Sequence, residues 1–137
     1  MAISQAALLC LALNVYHEAR GESLSGQKAV AAVTINRARE NESSVCEEVF
    51  RPHQFSWTSK YRGKPSKKMA LALKEKIREP KSWTMAKDVA KKALTSKNRM
   101  GNALYFHAKH VRSSRISKKL RLVAVIGNHK FYAERDG

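Results

Sequence analysis

The sequence predicts an α+β fold that is mainly helical, with a small β element near the C-terminus. Apolar residues recur at helical spacing through the first 40 residues. Alternating apolar and polar residues with turn signals are concentrated between residues 103 and 133. A chain of 137 residues with 43% hydrophobic content can bury one core, and it shows neither internal repeats nor a linker. We therefore expect a single domain over residues 1–137.

The first two helices are rich in alanine, which should allow them to pack closely. The first runs roughly from Ser4, its N-cap, to Arg20, and Gly21 ends it. A short serine and glycine connection leads to the second helix, which runs roughly from Gln27 to Glu40. Antiparallel packing would place the end of the first helix beside the start of the second.

The rest of the chain should contain an irregular stretch, two lysine-rich helices, a strand and a hairpin. Residues 41–68 are expected to be irregular because prolines and glycines interrupt them. The two helices should cover roughly residues 67–78 and 84–96. The β element comprises a strand at 103–107, a basic loop at 109–121, and a hairpin whose strands, 122–126 and 129–133, flank the turn Gly127-Asn128.

The charge of the chain is extreme. Lys and Arg number 27 against 11 Asp and Glu, which gives a net charge of +16 and a pI near 10.3. Such a field attracts polyanions, which include nucleic acid, anionic membranes and an acidic cell envelope. Charge alone does not choose among these partners.

The N-terminal segment reads as a core helix rather than as an export signal. The run from Ala6 to Val15 is apolar except for Asn14, no Lys or Arg precedes it, and it is too short to span a membrane. It contains Cys10, one of two cysteines. A buried free thiol is expected there, and a bridge to Cys46 is the alternative.

Glu18 is the residue that most strongly indicates a catalytic role. It extends the apolar stripe of Leu8, Leu11 and Val15 on the first helix. Burial of a carboxyl group raises its pKa, which suits a general acid. The structural alternative is an N-cap or a salt bridge to Arg20 or Arg37.

Glu22 is the candidate for a second carboxylate. If the helix continued, it would lie roughly 5–6 Å from Glu18 between Cβ atoms, near the separation that a retaining glycosidase requires. Gly21 is expected to break the helix, however, and a carboxylate near the start of the second helix is favoured by that helix's dipole. We favour the structural role.

Metal and cofactor chemistry find little support in the sequence. His17-Glu18 would need a second histidine at position 21 to form a zincin motif, and that position is Gly21. His107, His110 and His129 are better explained as structural or substrate-contacting residues. Cys46 and His53 have no residue to orient them as a nucleophilic pair. We expect no metal and no cofactor.

Aromatic and polar residues recur in the second half of the chain, as in sites that bind sugars. Rings stack on sugar rings, and amides and hydroxyls bind sugar hydroxyls. Strand alternation puts Tyr105 and His107 on one face and Phe106 on the other, where Phe106 and Phe131 would be core residues. The candidate substrate-binding residues are Gln54, Phe55, Ser56, Trp57, Tyr105, His107, His129 and Tyr132.

Several blocks together resemble the cell-wall hydrolase family of spore cortex-lytic enzymes. These blocks, in chain order, are residues 16–22 (YHEARGE), 26–33 (GQKAVAAV), 35–37 (INR), 54–57 (QFSW), 103–107 (ALYFH) and 126–132 (IGNHKFY). The resemblance implies a lysozyme-like helical fold and cleavage of the β-1,4 bond between N-acetylmuramic acid and N-acetylglucosamine in peptidoglycan. It also implies a lytic transglycosylase with one essential glutamate, which matches Glu18 here.

The size and charge of the chain further resemble those of a bacteriophage endolysin. Such a protein is made in the host cytoplasm without a signal peptide and reaches peptidoglycan after release through a holin. We expect a monomer without a separate wall-binding domain or transmembrane segment, held on the anionic envelope by basic residues. The candidates for that contact are Lys60, Arg62, Lys64, Lys67, Lys68 and the loop 112–121.

Three other functions stay open at this point. A lysozyme-type muramidase would use Glu18, Glu22 and water. A nucleic-acid-binding module would explain the charge, but the sequence has no zinc finger, RNP motif or basic zipper, and Glu18 would have no role. A basic surface that disrupts membranes without catalysis is the third.

Overall fold

The computed structural model describes residues 4–51, 55–59, 61, 67–96, 100–108 and 119–135. Within these residues the fold is mainly helical, with a small sheet near the C-terminus, as predicted. The helices are α1 (Gln5–Ala19), α2 (Leu24–Glu40), α3 (Val45–Val49), α4 (Lys67–Lys74) and α5 (Pro80–Thr95), with a 3₁₀ turn at Ser56–Thr58. The strands are β1 (Tyr105–Ala108), β2 (Leu120–Ile126) and β3 (His129–Glu134). Among the described helices, none has both the length and the apolarity to span a bilayer.

Helix α1 is the central element, since α2, α3, α4 and α5 all pack against it. The predicted N-cap is confirmed, because the Ser4 hydroxyl accepts a hydrogen bond from the Ala7 N–H. Helix α2 begins at Leu24, three residues before the predicted start. The reason is a second cap, in which the Ser23 hydroxyl accepts from the Gly26 N–H.

The prediction that residues 41–68 are irregular was wrong for α3. The Ser44 hydroxyl accepts a hydrogen bond from the Glu47 N–H, and the Glu47 carboxylate accepts one from the Ser44 N–H, so the two residues form a capping box. The boundaries of the next two helices also differ from the prediction. Helix α4 ends at Lys74, and α5 begins at Pro80, because a proline at the first position of a helix lacks only an N–H that would have no partner there.

The sheet has the order β1-β3-β2 and both pairings are antiparallel. The predicted hairpin is confirmed, with Gly127 and Asn128 as its two-residue turn. Phe106 pairs with Phe131, and Tyr105 pairs with Tyr132, so each pair lies on one face. The predicted alternation of β1 is therefore confirmed, and Phe131 is fully buried, as expected of a core residue.

Two apolar clusters meet at the junction of α1 and α2. The larger surrounds α1 and includes Leu11, Val15 and residues of α3, α4 and α5. The smaller lies between α2 and the sheet, where Val30 and Val33 pack against Phe131. Ala19, at the last turn of α1, belongs to this second cluster. The end of α1 therefore lies where the helical part of the fold meets the sheet.

The expectation of a free thiol at Cys10 was wrong, because Cys10 and Cys46 form a disulfide. Their Cα atoms are 5.2 Å apart, which is within the usual range for a bridged pair. The bond joins α1 to α3. Cys46 lies on the α1 surface because residues 45–49 form a helix that packs against α1.

Candidate active site

Glu18 lies in the last turn of α1 and is half-buried. Removal of its carboxyl group from water raises its pKa above 4.5. The two salt bridges considered for it do not form, because Arg20 pairs with Glu79 and Arg37 pairs with Glu48. Among the described residues, none donates a hydrogen bond to the Glu18 carboxyl group. An unpaired carboxyl group with a raised pKa can hold a proton and release it to a bound substrate.

Trp57 lies against the α1 surface near Glu18. Its indole N–H donates to Oδ1 of Asn14 at 2.8 Å, and its ring stacks on His17 with ring centroids 4.3 Å apart. Asn14 is fully buried and also donates from Nδ2 to the Thr34 hydroxyl at 3.0 Å. The half-buried indole thus contacts His17, which immediately precedes Glu18, and Asn14, which lies one helical turn before Glu18.

Glu22 is held by the turn of the hairpin. Its Oε1 accepts a hydrogen bond from the Asn128 N–H at 3.2 Å and lies 3.0 Å from Nδ1 of His129. The latter contact has the distance of an ion pair, but the angular geometry of a hydrogen bond is lacking. The Glu22 and His129 side chains are only 10% and 13% exposed. Glu22 therefore connects the start of α2 to the sheet.

Gly127 allows this close approach. A Cβ atom on Gly127 would lie 2.8 Å from Oε2 of Glu22, a separation that real Cβ atoms essentially never show. Gly127 also has a φ of +57°, which L-residues adopt reluctantly. A side chain at this position would thus displace the Glu22 carboxylate, which is the end of a flexible side chain, from its contacts with the hairpin.

Tyr105, His107 and Tyr132 lie on one face of the sheet. The His107 ring stacks on Tyr132, and its Nε2 lies 2.9 Å from the Tyr132 hydroxyl. Its Nδ1 lies 2.6 Å from the Ala108 carbonyl, which can only accept. In a neutral His107 the proton is therefore assigned to Nδ1, and the Tyr132 hydroxyl donates to Nε2.

His129 lies on the opposite face of the sheet, with Phe106 and Phe131. Desolvation lowers the pKa of His129 below 6.5; the Glu22 carboxylate opposes this shift and His107 adds to it. The structure therefore divides the predicted binding residues of the sheet into two groups. Tyr105, His107 and Tyr132 share one face, and His129 accompanies Glu22 on the other.

The remaining predicted binding residues lie before and within the 3₁₀ turn. Phe55 is 3% exposed, packs on Phe106, and lies beneath the guanidinium group of Arg37, 5.2 Å from ring centroid to Cζ. Ser56 is exposed. Gln54 lies outside the described residues. Tyr132, like Phe55, is buried. These two rings form part of the packed interior, and their contact with a sugar stays a prediction.

Glu48 is a residue whose importance the sequence did not reveal, because it lies in a polar segment. It is fully buried and accepts hydrogen bonds from Asn41, Ser43 and Arg51. Its other oxygen lies 3.4 Å from Nε of Arg37. Arg37 in turn lies over the rings of Phe55 and Tyr105. The capping box at Ser44 and Glu47 is the sequence signal that could have placed Glu48 on a helix.

The described part of the chain contains no group of three His, Cys, Asp or Glu side chains arranged to hold a metal ion. His110 and His53 lie outside that part. Of the basic residues expected to contact the envelope, Lys67, Lys68, Lys119 and Arg121 are described and exposed. Lys60, Arg62, Lys64 and residues 112–118 lie outside the described residues.

Comparison with known proteins identifies a family and two similar structures. A family model described as Cell Wall Hydrolase matches residues 21–132, a stretch that begins three residues after Glu18. The catalytic domain of the germination-specific lytic transglycosylase SleB from Bacillus anthracis is 28% identical, with a TM-score of 0.69 over 96% of this chain and 98% of that one. The catalytic domain of the Bacillus cereus SleB protein is 27% identical, with a TM-score of 0.69 over 96% and 93%. No curated protein sequence matches significantly.

Proposed function

Because this chain belongs to the cell wall hydrolase family and is a peptidoglycan-cleaving enzyme, we propose that it acts as a lytic transglycosylase with Glu18 as general acid and base. The observation that most supports this role is the half-buried Glu18 carboxyl group, whose pKa burial raises and which has no described partner. The substrate is the β-1,4 bond between N-acetylmuramic acid and N-acetylglucosamine.

The proposed reaction uses one carboxyl group twice. Protonated Glu18 donates its proton to the glycosidic oxygen as the bond from that oxygen to the anomeric carbon of muramic acid breaks. The Glu18 carboxylate then takes the proton from the 6-hydroxyl of the same sugar, whose oxygen bonds to the anomeric carbon. The products are a free 4-hydroxyl and a 1,6-anhydromuramyl end, and Glu18 is protonated again. Water is not consumed.

The contacts of Glu22 favour this route over hydrolysis. A muramidase would need a second carboxylate that acts as a nucleophile or directs water. The Glu22 carboxylate is instead occupied by the Asn128 N–H and lies against His129, with little exposure. To take part in hydrolysis it would have to leave these contacts.

Mass spectrometry of muropeptides released from purified peptidoglycan tests the proposal. Wild type should give non-reducible 1,6-anhydro ends, and Glu18→Gln should lower their release by at least about 10²-fold. Glu75→Gln, at an exposed position after α4, is the matched control and should retain activity. Reducible muramic acid ends would overturn the transglycosylase mechanism in favour of hydrolysis, and full activity of Glu18→Gln would remove Glu18 from the reaction.

We further propose that the enzyme is a bacteriophage endolysin that acts as a monomer and reaches peptidoglycan after holin-type release from the host cytoplasm. The net charge of +16 supports attraction to an anionic envelope, with the exposed Lys67, Lys68 and Arg121 among the contacts. A disulfide is typical of proteins that work outside the reducing cytoplasm.

Expression in a bacterial host tests the endolysin role. With the enzyme alone the culture should keep growing, and co-expression of a holin should cause lysis. Lysis without the holin would contradict the proposed route. Binding of the Glu18→Gln protein to purified walls should weaken as salt rises, and Lys67→Ala/Lys68→Ala should weaken it further. Binding that salt does not change would exclude the electrostatic contact.

A further inference from the structure

The polar residue within the apolar run of α1 has no role in the proposed reaction. Asn14 is fully buried in the cluster around α1. An apolar side chain at this position would need no hydrogen-bond partners. A buried amide that lost its partners would cost about 1–3 kcal/mol. Asn14 meets this requirement with two partners, the Trp57 indole and the Thr34 hydroxyl. The residue therefore joins three separate segments of the chain.

The hydrogen bonds of Asn14 have a fixed direction. The Thr34 hydroxyl donates to the Val30 carbonyl at 2.8 Å within α2, so its oxygen is left to accept from Nδ2 of Asn14. This contact sets the orientation of the amide and turns Oδ1 toward the Trp57 N–H. The hydrogen bond of the indole is thus oriented by α1 and α2, while the Trp57 ring also packs against Phe50 and Tyr61.

We propose that Asn14 is a positioning residue that holds Trp57 beside Glu18, where the indole shields the carboxyl group from water and can contact bound substrate. Asn14 precedes Glu18 by four residues, so the two lie on one helical face with Cβ atoms roughly 5–6 Å apart. Trp57 also stacks on His17, the residue immediately before Glu18. An indole that contacts Asn14 and His17 lies beside the last turns of α1, on the side that Glu18 shares with Asn14.

His17, Arg20 and Glu22, the titratable or charged side chains that flank Glu18 in the chain, each make contacts with other residues. Arg20 is paired with Glu79, and Glu22 lies against the hairpin at Asn128. The only cause resolved for the raised pKa of Glu18 is desolvation. A ring that moved away from the carboxyl group would therefore lower its pKa toward 4.5, because water would return to the site.

The first test is independent of activity. The chain has two tryptophans, Trp57 and Trp83, and the Trp83 indole N–H has no hydrogen-bond partner in the described structure. A Trp83→Phe background therefore loses no hydrogen bond and leaves Trp57 as the fluorophore. In that background Asn14→Leu should shift the emission maximum to longer wavelength. Val89→Ala, a core substitution on α5, is the control for a general loss of stability and should leave the emission unchanged.

The second test uses the pH dependence of peptidoglycan cleavage and rests on the proposed function. Asn14→Leu should lower kcat/KM by about 10- to 100-fold. It should also move the alkaline limb of the kcat profile to lower pH, because this limb reports deprotonation of the general acid. A merely structural role would reduce the amount of folded enzyme but would not move the limb.

Thr34→Val provides a milder perturbation if Asn14→Leu does not fold. It removes the oxygen that orients Asn14 and should produce the same two shifts to a smaller extent. The proposal is overturned if both variants fold and keep the wild-type emission maximum and pH profile. An inactive wild type would contradict the proposed function alone, since the fluorescence result would still report whether Asn14 positions Trp57.

Discussion

Loss of the Cys10–Cys46 disulfide should lower the free energy of unfolding by about 4 kcal/mol. The bond closes a loop with a sequence separation of 36 residues that contains the end of α1, all of α2 and the start of α3. In the chain-entropy model, opening a loop of this length returns about 13 cal/mol/K to the unfolded state, or about 3.8 kcal/mol at 25 °C. For 137 residues the expected fall in Tm is about 13 °C.

The comparison is best made between two redox states of the same chain. Cys10 is fully buried and Cys46 nearly so, so the protein should be unfolded, reduced and refolded with the reductant present. Guanidinium unfolding of both states gives the difference, and the m-value should be larger for the reduced chain, whose unfolded state is less compact. Cys10→Ala/Cys46→Ala would add the cost of a cavity and serves as the second comparison.

A difference below about 1 kcal/mol between the two redox states would refute the loop-entropy argument. It would mean either that the two cysteines are not joined in solution or that the reduced unfolded chain keeps structure around α1. Quantification of free thiols under denaturing conditions separates these explanations. A large difference would mean that the reduced enzyme is markedly less stable than the oxidised enzyme.

Three further predictions concern the contacts that join the helices to each other and to the sheet. Gly127→Ala should destabilise the fold more than Gly101→Ala in thermal unfolding, because both glycines have positive φ but only at Gly127 would a Cβ meet Glu22. Equal losses would show that backbone strain alone matters. Glu48→Ala should cost about 3–5 kcal/mol in denaturant unfolding, since it leaves the buried Arg37 guanidinium group without its ion-pair partner, and a loss near zero would show that this group reaches water. Stability should fall as the pH drops through about 6.5, because the unfolded state binds a proton at His129 more readily than the folded state. His129→Gln should reduce this pH dependence of Tm, and an unchanged pH dependence would assign it to other groups.

The sequence alone identified the general outline of the fold and its principal candidate for catalysis. Local signals were sufficient for this, because caps, hydrophobic periodicity and turn residues act within a few positions of one another. Ser4 and the turn at Gly127 illustrate the point, since each was predicted from neighbouring residues and is confirmed by the structure. Glu18 was singled out by its place on an apolar stripe, and its half-buried position agrees with that argument.

The partners of the buried polar groups could not be predicted, because each lies far away in sequence. Asn14 meets Trp57 across 43 residues, and Glu22 meets the Asn128 N–H across 106. The sequence placed Glu48 in a polar segment, whereas in the structure it lies on α3 and pairs with Arg37. The pairing of Cys10 with Cys46 likewise depended on the packing of α3 against α1. Periodicity shows which side of an element faces the core, but hydrogen bonds, disulfides and desolvation depend on distances that only the packed chain defines.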